Sequence, residues 1–204
     1  MRRTLRSTFR FLPFAALVAG APLAAQESTT RGFNVGLHLS GQSLTPEDGD
    51  RSNAGGAGLI VGYGFNRTVE LFLQLDAGQF DVQNAAVEGD WTMGHADIGV
   101  RFHFANSLRS WVPYLQAAVS GRSVEVKNGR INQVAQSDDV TLSGGAFTLG
   151  GGIMFYFNET WALDLQLAWS GGRFTDVKVG DVTYTGADFD AQTARFNIGA
   201  SWWP

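Results

Sequence analysis

The stretch Gly150 to Trp169, GGGIMFYFNETWALDLQLAW, sets Leu163, Leu165, Leu167 and Trp169 at every second position with Asp164 and Gln166 between them. A spacing of two sends alternate side chains to opposite faces of a strand, whereas a helix would bring the aspartate round among the leucines. Upstream, Ile153, Phe155 and Phe157 alternate with Gly152, Met154 and Tyr156, and the intervening Asn158-Glu159-Thr160 has turn chemistry. The stretch therefore reads as an antiparallel hairpin, apolar on one face and polar on the other.

The same period runs through eight blocks from Gly32 onward. The apolar series are Phe33 to Leu39, Ala57 to Tyr63, Val69 to Leu75, Ala96 to Phe104, Trp111 to Val119, Phe147 to Phe157, Trp161 to Trp169 and Ala194 to Trp202. Helical spacing is nowhere sustained. Connections at Asn66 to Thr68, Ala105 to Ser110 and Asn158 to Thr160 are tight, while Gln42 to Asn53, Gln79 to Asp90, Ser123 to Ser143 and Gly171 to Gln192 are long. Because short and long alternate strictly, an up-and-down meander gathers all tight turns at one end and all long loops at the other. Hairpin signals inside two long loops, VKNGRI around Asn128 and Gly129 and VKVGDVTY around Gly180 and Asp181, predict ribbons rising above the main sheet. Those ribbons carry Lys127, Arg130 and Lys178 and are shorter than the roughly 9 to 11 residues of a membrane-spanning strand, so eight spanning strands are expected rather than ten.

Alternation alone does not choose the solvent, since a soluble lipocalin-like barrel alternates too. Volume decides. An eight-stranded barrel is just wide enough inside to be filled by side chains, and the apolar series holds too many Leu, Ile, Val, Phe, Tyr and Trp residues to fit there. The opposite series, rich in Gly, Ala and Ser, suits a narrow lumen. Turning the apolar face to lipid also spares the charged residues, because Arg or Lys at the lipid-facing mid-plane costs roughly 2 to 4 kcal/mol. Closure is then obligatory, since an open edge in hydrocarbon leaves backbone groups unpaired. Trp111, Phe155, Phe157, Trp161 and Trp202 gather at the tight-turn end of the apolar series, the arrangement of an interfacial aromatic girdle.

The N-terminus reads separately. MRRTLRSTFR carries four arginines and FLPFAALVAGAPLAA is a short apolar run ending in small residues, so residues 1–25 read as a secretory signal peptide cut before Gln26, with residues 26–204 forming the barrel domain. Downstream of it, eleven basic residues face nineteen acids, a balance unsuited to nucleic acid. The chain has no cysteine, so neither disulfides nor a lipoprotein anchor at the cut are expected.

The signal sequence, the alternating blocks, the penultimate hairpin quoted above and the final ARFNIGASWWP together resemble the OmpA/OmpX-like outer-membrane β-barrel superfamily. The resemblance implies an all-β, eight-stranded antiparallel up-and-down transmembrane barrel in the outer membrane, with periplasmic turns and extracellular loops. It implies contact with outer-membrane lipids and lipopolysaccharide, and handling by the barrel assembly machinery, with Trp202 in the place of the terminal aromatic ahead of Pro204. An extracellular ligand would be met through the long acidic loops. No periplasmic domain that grips the cell wall is implied.

Inside such a barrel Glu70, Arg101 and Asp164 lie three to four residues from tight turns on three strands, so they are expected at one height as an ionic belt. As satisfied interior charges they let the barrel pack; as a gate they would control conduction. Nearer the loop end the lumen should hold His38, Asp76, His95, Asp97, Arg122 and Arg195. His95 and Asp97 share a face, but a metal centre generally shows three or four ligands, and neither metal nor cofactor is expected. His38 and Ser40 invite comparison with lipid A deacylases, yet they face the lumen, away from any lipid substrate, so no enzyme activity is expected. The function expected is a structural or surface-interaction role with a polar, plugged lumen; the alternative is a small pore or hydrophobic-compound channel of the OmpW type, and behind it a lipid-modifying outer-membrane enzyme or a soluble lipocalin-like binder.

Overall fold

The computed structural model describes residues 30–46, 51–80, 87–104, 110–131, 134–135 and 139–204. The expected signal peptide lies outside the described residues, as do parts of three long loops and most of the tight turn at 105–110.

Among the described residues nine strands follow in order: β1 (Gly32–Pro46), β2 (Ser52–Gly64), β3 (Val69–Phe80), β4 (Val87–His103), β5 (Trp111–Ile131), β6 (Val134–Ala135), β7 (Val140–Tyr156), β8 (Trp161–Val179) and β9 (Val182–Trp202). All pairings are antiparallel, and β9 pairs with β1 from Trp202 opposite Val35 to Ala191 opposite Pro46. The ring is thereby closed from eight strands, with the two-residue β6 attached outside it to β5 alone. Closure leaves no edge along the level of the apolar band, as a lipid environment requires.

Local chemistry explains the reversals. Asn66 Oδ1 accepts hydrogen bonds from the amides of Thr68 (2.7 Å) and Val69 (2.9 Å), and Asn158 Oδ1 does the same for Thr160 (2.9 Å) and Trp161 (2.8 Å). Each asparagine side chain thus stands in for a backbone carbonyl in its turn. At the opposite end, the Gly180-Asp181 signal forms a two-residue turn closing Val179 against Val182, with Gly180 at φ 57°.

The Asn128-Gly129 signal behaves differently from the expected hairpin. β5 runs through it to Ile131, and the reversal comes only where Val134 pairs back on Ile131. The reason lies in β4: Asp90 sits opposite Lys127 and Glu88 opposite Arg130, so two residues of β5 face one of β4. Pairing with the neighbouring strand converts a turn-prone dipeptide into a bulge. The long loops are accordingly in large part strand, and the wall of the barrel simply continues upward.

The two faces separate as the period requires. Leu37, Leu39, Ile98, Val119 and Leu167 point outward with more than half their surface exposed, while Glu70, Asp97, Arg101 and Arg195 are buried. This inverted distribution, apolar outside and charged inside, fits a protein whose surrounding solvent is hydrocarbon.

Candidate functional site

The functional candidate is the lumen, built as layers that follow from the cross-strand register. At the tight-turn end, Trp203 is buried among Val112, Tyr114, Met154, Tyr156 and Ala162. Its backbone amide donates to the Thr160 carbonyl at 2.7 Å, which ties the end of β9 to the Asn158 turn. Trp203 continues the alternation one step past Trp202, so it turns inward where Trp202 turns out. The sequence reading considered only Trp202; the period itself carried the signal for Trp203.

Above this apolar floor lies the Glu70 layer. Arg101 Nη1 stands 3.5 Å from Asp164 Oδ2 and 3.9 Å from Glu70 Oε2. Its guanidinium lies 4.2 Å from the Tyr114 ring centre and 5.2 Å from that of Phe72, within range of cation–π attraction. Glu70 is hydrogen-bonded by Asn34 Nδ2 (2.6 Å) and lies 2.6 Å from His103 Nε2, while Tyr114 donates to Asp164 at 2.7 Å. The structure therefore brings Glu70, Arg101 and Asp164 together, but the close hydrogen bonds of both carboxylates come from Asn34, His103 and Tyr114, which pattern reading passed over as ordinary lumen residues. Room for Tyr114 comes from Gly152: a Cβ there would stand 2.6 Å from Tyr114 Cζ.

The next layer is uncharged. Gln166 is its hub, donating to Gln74 (3.0 Å) and Gln116 (2.9 Å) and accepting from Asn197 (2.5 Å). Ser120, Thr148 and Ser170 form a hydroxyl chain with spacings of 2.5 and 2.7 Å that leads to Arg195, whose Nη2 donates to Ser170 Oγ at 3.4 Å. The gap lined by Gln74, Arg101, Asp164, Gln166 and Asn197 has a volume of about 10 Å³, which is room for one water.

Then comes the second charged layer. Arg195 bridges Asp76 at 2.6 Å and Asp97 at 2.5 Å, and His38 Nε2 lies 2.5 Å from the other Asp76 oxygen. Arg122, expected in this network, is not part of its ion pairing: it has no carboxylate within ion-pair distance among the described residues. Its Nη1 donates to the Ala191 carbonyl (3.0 Å) and to Thr193 Oγ1 (3.3 Å), and its guanidinium packs 4.9 Å from the Phe174 ring centre. Arg195 takes the two aspartates because β9 carries it to their height, one layer below Arg122.

His95, opposite Arg122 on β4, makes no hydrogen bond from either ring nitrogen among the described residues, and no cluster suited to a metal occurs among them. Ser40 Oγ is likewise unbonded, so His38 is engaged with Asp76 and not with Ser40. A second apolar cluster of Met93, Val124, Phe174 and Ala191, flanked by Leu44, Phe80, Trp91 and Leu142, lies at the loop end of the stack.

On the outside, Trp111, Phe155, Phe157, Trp161 and Trp202 all sit at the tight-turn end with exposed rings; Trp111 is paired with Phe155, and the Trp161 and Trp202 ring centres are 6.3 Å apart.

A family model described as outer membrane protein beta-barrel domain matches residues 13–202. The chain belongs to the outer membrane protein β-barrel family. Among solved structures, the barrel is similar to Neisserial surface protein A (TM-score 0.61, 12% identity, 84% of this chain and 96% of that chain). It is also similar to Ail, the attachment invasion locus protein of Yersinia pestis (TM-score 0.56, 13% identity, 84% and 98%), and to OprG from Pseudomonas aeruginosa (TM-score 0.53, 11% identity, 87% and 98%). At these identities the likeness is one of fold. No curated protein matches the sequence. Membership of the outer membrane β-barrel family places the barrel in the outer membrane with its outward apolar band in contact with lipid.

Proposed function

We propose that this protein is a sealed outer-membrane barrel that serves as a structural membrane component and meets extracellular partners through its tall outer wall, rather than acting as a pore or a catalyst. What supports the reading is a stack of buried side chains: an apolar cluster around Trp203 at the tight-turn end and another around Met93 at the loop end, with two ionic layers and an amide layer between them. A solute would have to cross both clusters and break buried ion pairs, each of which is costly to open without a replacement partner. Glu70, Arg101 and Asp164, with Asp76, Asp97 and Arg195 above, act as interior charges that fix the register of the strands they join, and Arg122 as a lone interior cation. Trp111, Phe155, Phe157, Trp161 and Trp202 hold the periplasmic interface, where amphipathic aromatic rings favour the headgroup level. Lipopolysaccharide contact and assembly-machinery recognition at Trp202 belong to the same reading, as does export by a signal peptide over residues 1–25.

Planar-bilayer recording tests it. Reconstituted wild-type protein and Arg101→Ala should both stay silent, because Arg101→Ala leaves the two apolar clusters intact. Stable conductance steps from the wild type would replace the sealed barrel with a pore, and steps from Arg101→Ala alone would make Arg101 a gate. Unchanged lipid A mass spectra after gene deletion are expected; a lost or added acyl chain would point to catalysis instead.

A further inference from the structure

The barrel wall is uneven at its extracellular end. Among the described residues, β1 is paired to β9 as far as Pro46 opposite Ala191, and β3 to β4 as far as Phe80 opposite Trp91. β5, β7, β8 and β9 run on beyond that level and close at Val179 opposite Val182. Residues directly opposite in an antiparallel sheet share a face, so the taller wall can be read row by row. One row is Met93, Val124, Leu142, Val177, Tyr184, and the next is Trp91, Val126, Val140, Val179, Val182. Every member is apolar or aromatic. The row between them on the other face is Thr92, Glu125, Thr141, Lys178, Thr183, entirely polar.

The apolar face is the lumen-side one, since Met93 and Val124 belong to the upper cluster. Its cover fades along the row, from complete burial at Met93 to 60% exposure at Tyr184, with Val182 at 54% and Phe189, opposite Phe174, at 56%. These three lie on the end of the ribbon furthest from the tight turns, and exposed apolar surface gathered on one face marks an interaction site. The backbone edge of the same ribbon is guarded: β9 bulges between Thr185 and Phe189, with Gly186 at φ 96°, and Asp188 and Asp190 bind Arg173 at 3.4 and 2.9 Å on the polar side. Bulges and charges of this kind discourage strand addition, which leaves the side-chain face as the docking element. Charge selects the occupant. The four long loops, Gln42 to Asn53, Gln79 to Asp90, Ser123 to Ser143 and Gly171 to Gln192, hold thirteen acids against five bases. An anionic partner is disfavoured there, a neutral one gains nothing from the charge, and a cationic one is attracted.

We propose that Val182, Tyr184 and Phe189, on the lumen-side face of the extracellular wall, dock a cationic polypeptide segment rich in apolar side chains. This deepens the surface-interaction reading above and rests on it. The test uses the barrel in phosphatidylcholine nanodiscs, with empty nanodiscs subtracted, and a ten-residue peptide alternating lysine with valine. Saturable binding to wild type is expected, with at least a tenfold loss in Tyr184→Ser/Phe189→Ser, a smaller loss in Val182→Thr, and no binding of the same peptide carrying glutamate for lysine. A heat-dependent gel shift confirms that each variant is a folded barrel. Absence of saturable binding, equal affinity in wild type and double variant, or equal binding of the glutamate peptide overturns the proposal. None of these results bears on conductance, so a sealed barrel without this docking face remains distinguishable from a pore.

Discussion

The tight-turn and loop-end halves of the lumen are both buried and both charged, yet they satisfy their arginines differently. Below the amide layer, Arg101 stands between two carboxylates and against two aromatic rings, and those carboxylates have further donors in Asn34, His103 and Tyr114. Above it, Arg195 takes both Asp76 and Asp97, leaving Arg122 with a carbonyl, a hydroxyl and the Phe174 ring, while both nitrogens of the neighbouring His95 go unbonded. Burial therefore does not by itself say how much a charge matters; the partners lost on its removal do. A paired charge leaves an orphan behind when its partner is deleted, whereas a charge without an ionic partner does not.

The contrast is broken most severely at Arg195. Arg195→Met leaves Asp97 without a donor among the described residues and Asp76 with only His38 and Gln74, and should destabilise the barrel by about 3 to 5 kcal/mol, read by urea unfolding in lipid vesicles. A loss as small as that of a surface change would mean that the aspartates find other donors. Next is the lipid face: Leu165→Arg, between Ile153 and Ile198, should cost roughly 2 to 4 kcal/mol in the same assay, while Thr183→Arg on the extracellular ribbon should leave stability unchanged. Equal effects at the two positions would contradict the proposed membrane level. In the layer between the halves, Gln166→Leu removes the shared partner of Gln74, Gln116 and Asn197 and should cost about 1 to 3 kcal/mol. The smallest effect is expected at Arg122, where Arg122→Met orphans no carboxylate and should change stability by less than about 1 kcal/mol; a loss matching that of Arg195→Met would erase the distinction between the halves.

How far the sequence carries this picture depends on which physical rule is at work. A period of two fixes the face of each side chain, and it distinguishes Leu163, Leu165 and Leu167 from Asp164 and Gln166 without any tertiary knowledge. The alternation of tight and long connections gives an up-and-down ring and its two ends. Height is harder, because strands in a closed sheet are tilted and staggered. Counting from the turns works near them, at Glu70, Arg101 and Asp164, and fails further away, where it cannot tell that Arg195 rather than Arg122 meets the aspartates. Turn chemistry is local, so the Gly180-Asp181 pair acts as its residues suggest, while Asn128-Gly129 is overruled by the pairing of β5 with β4. The period also turns Trp203 inward, one step past Trp202, but it does not say what the ring meets there, which the packing around Tyr114 and Tyr156 reveals.

The closed lumen is the central claim, and the absence of cysteine from the chain makes it directly measurable. Ser170, buried beside Thr148 and Arg195, can be replaced by cysteine with little change in volume, and Thr183 on the exposed ribbon supplies a reference position. A small charged methanethiosulfonate reagent added to barrels in lipid vesicles should label Thr183→Cys readily and leave Ser170→Cys unmodified until the protein is unfolded. Labelling of folded Ser170→Cys at a rate approaching that of Thr183→Cys would establish a water path through the lumen and contradict the sealed barrel.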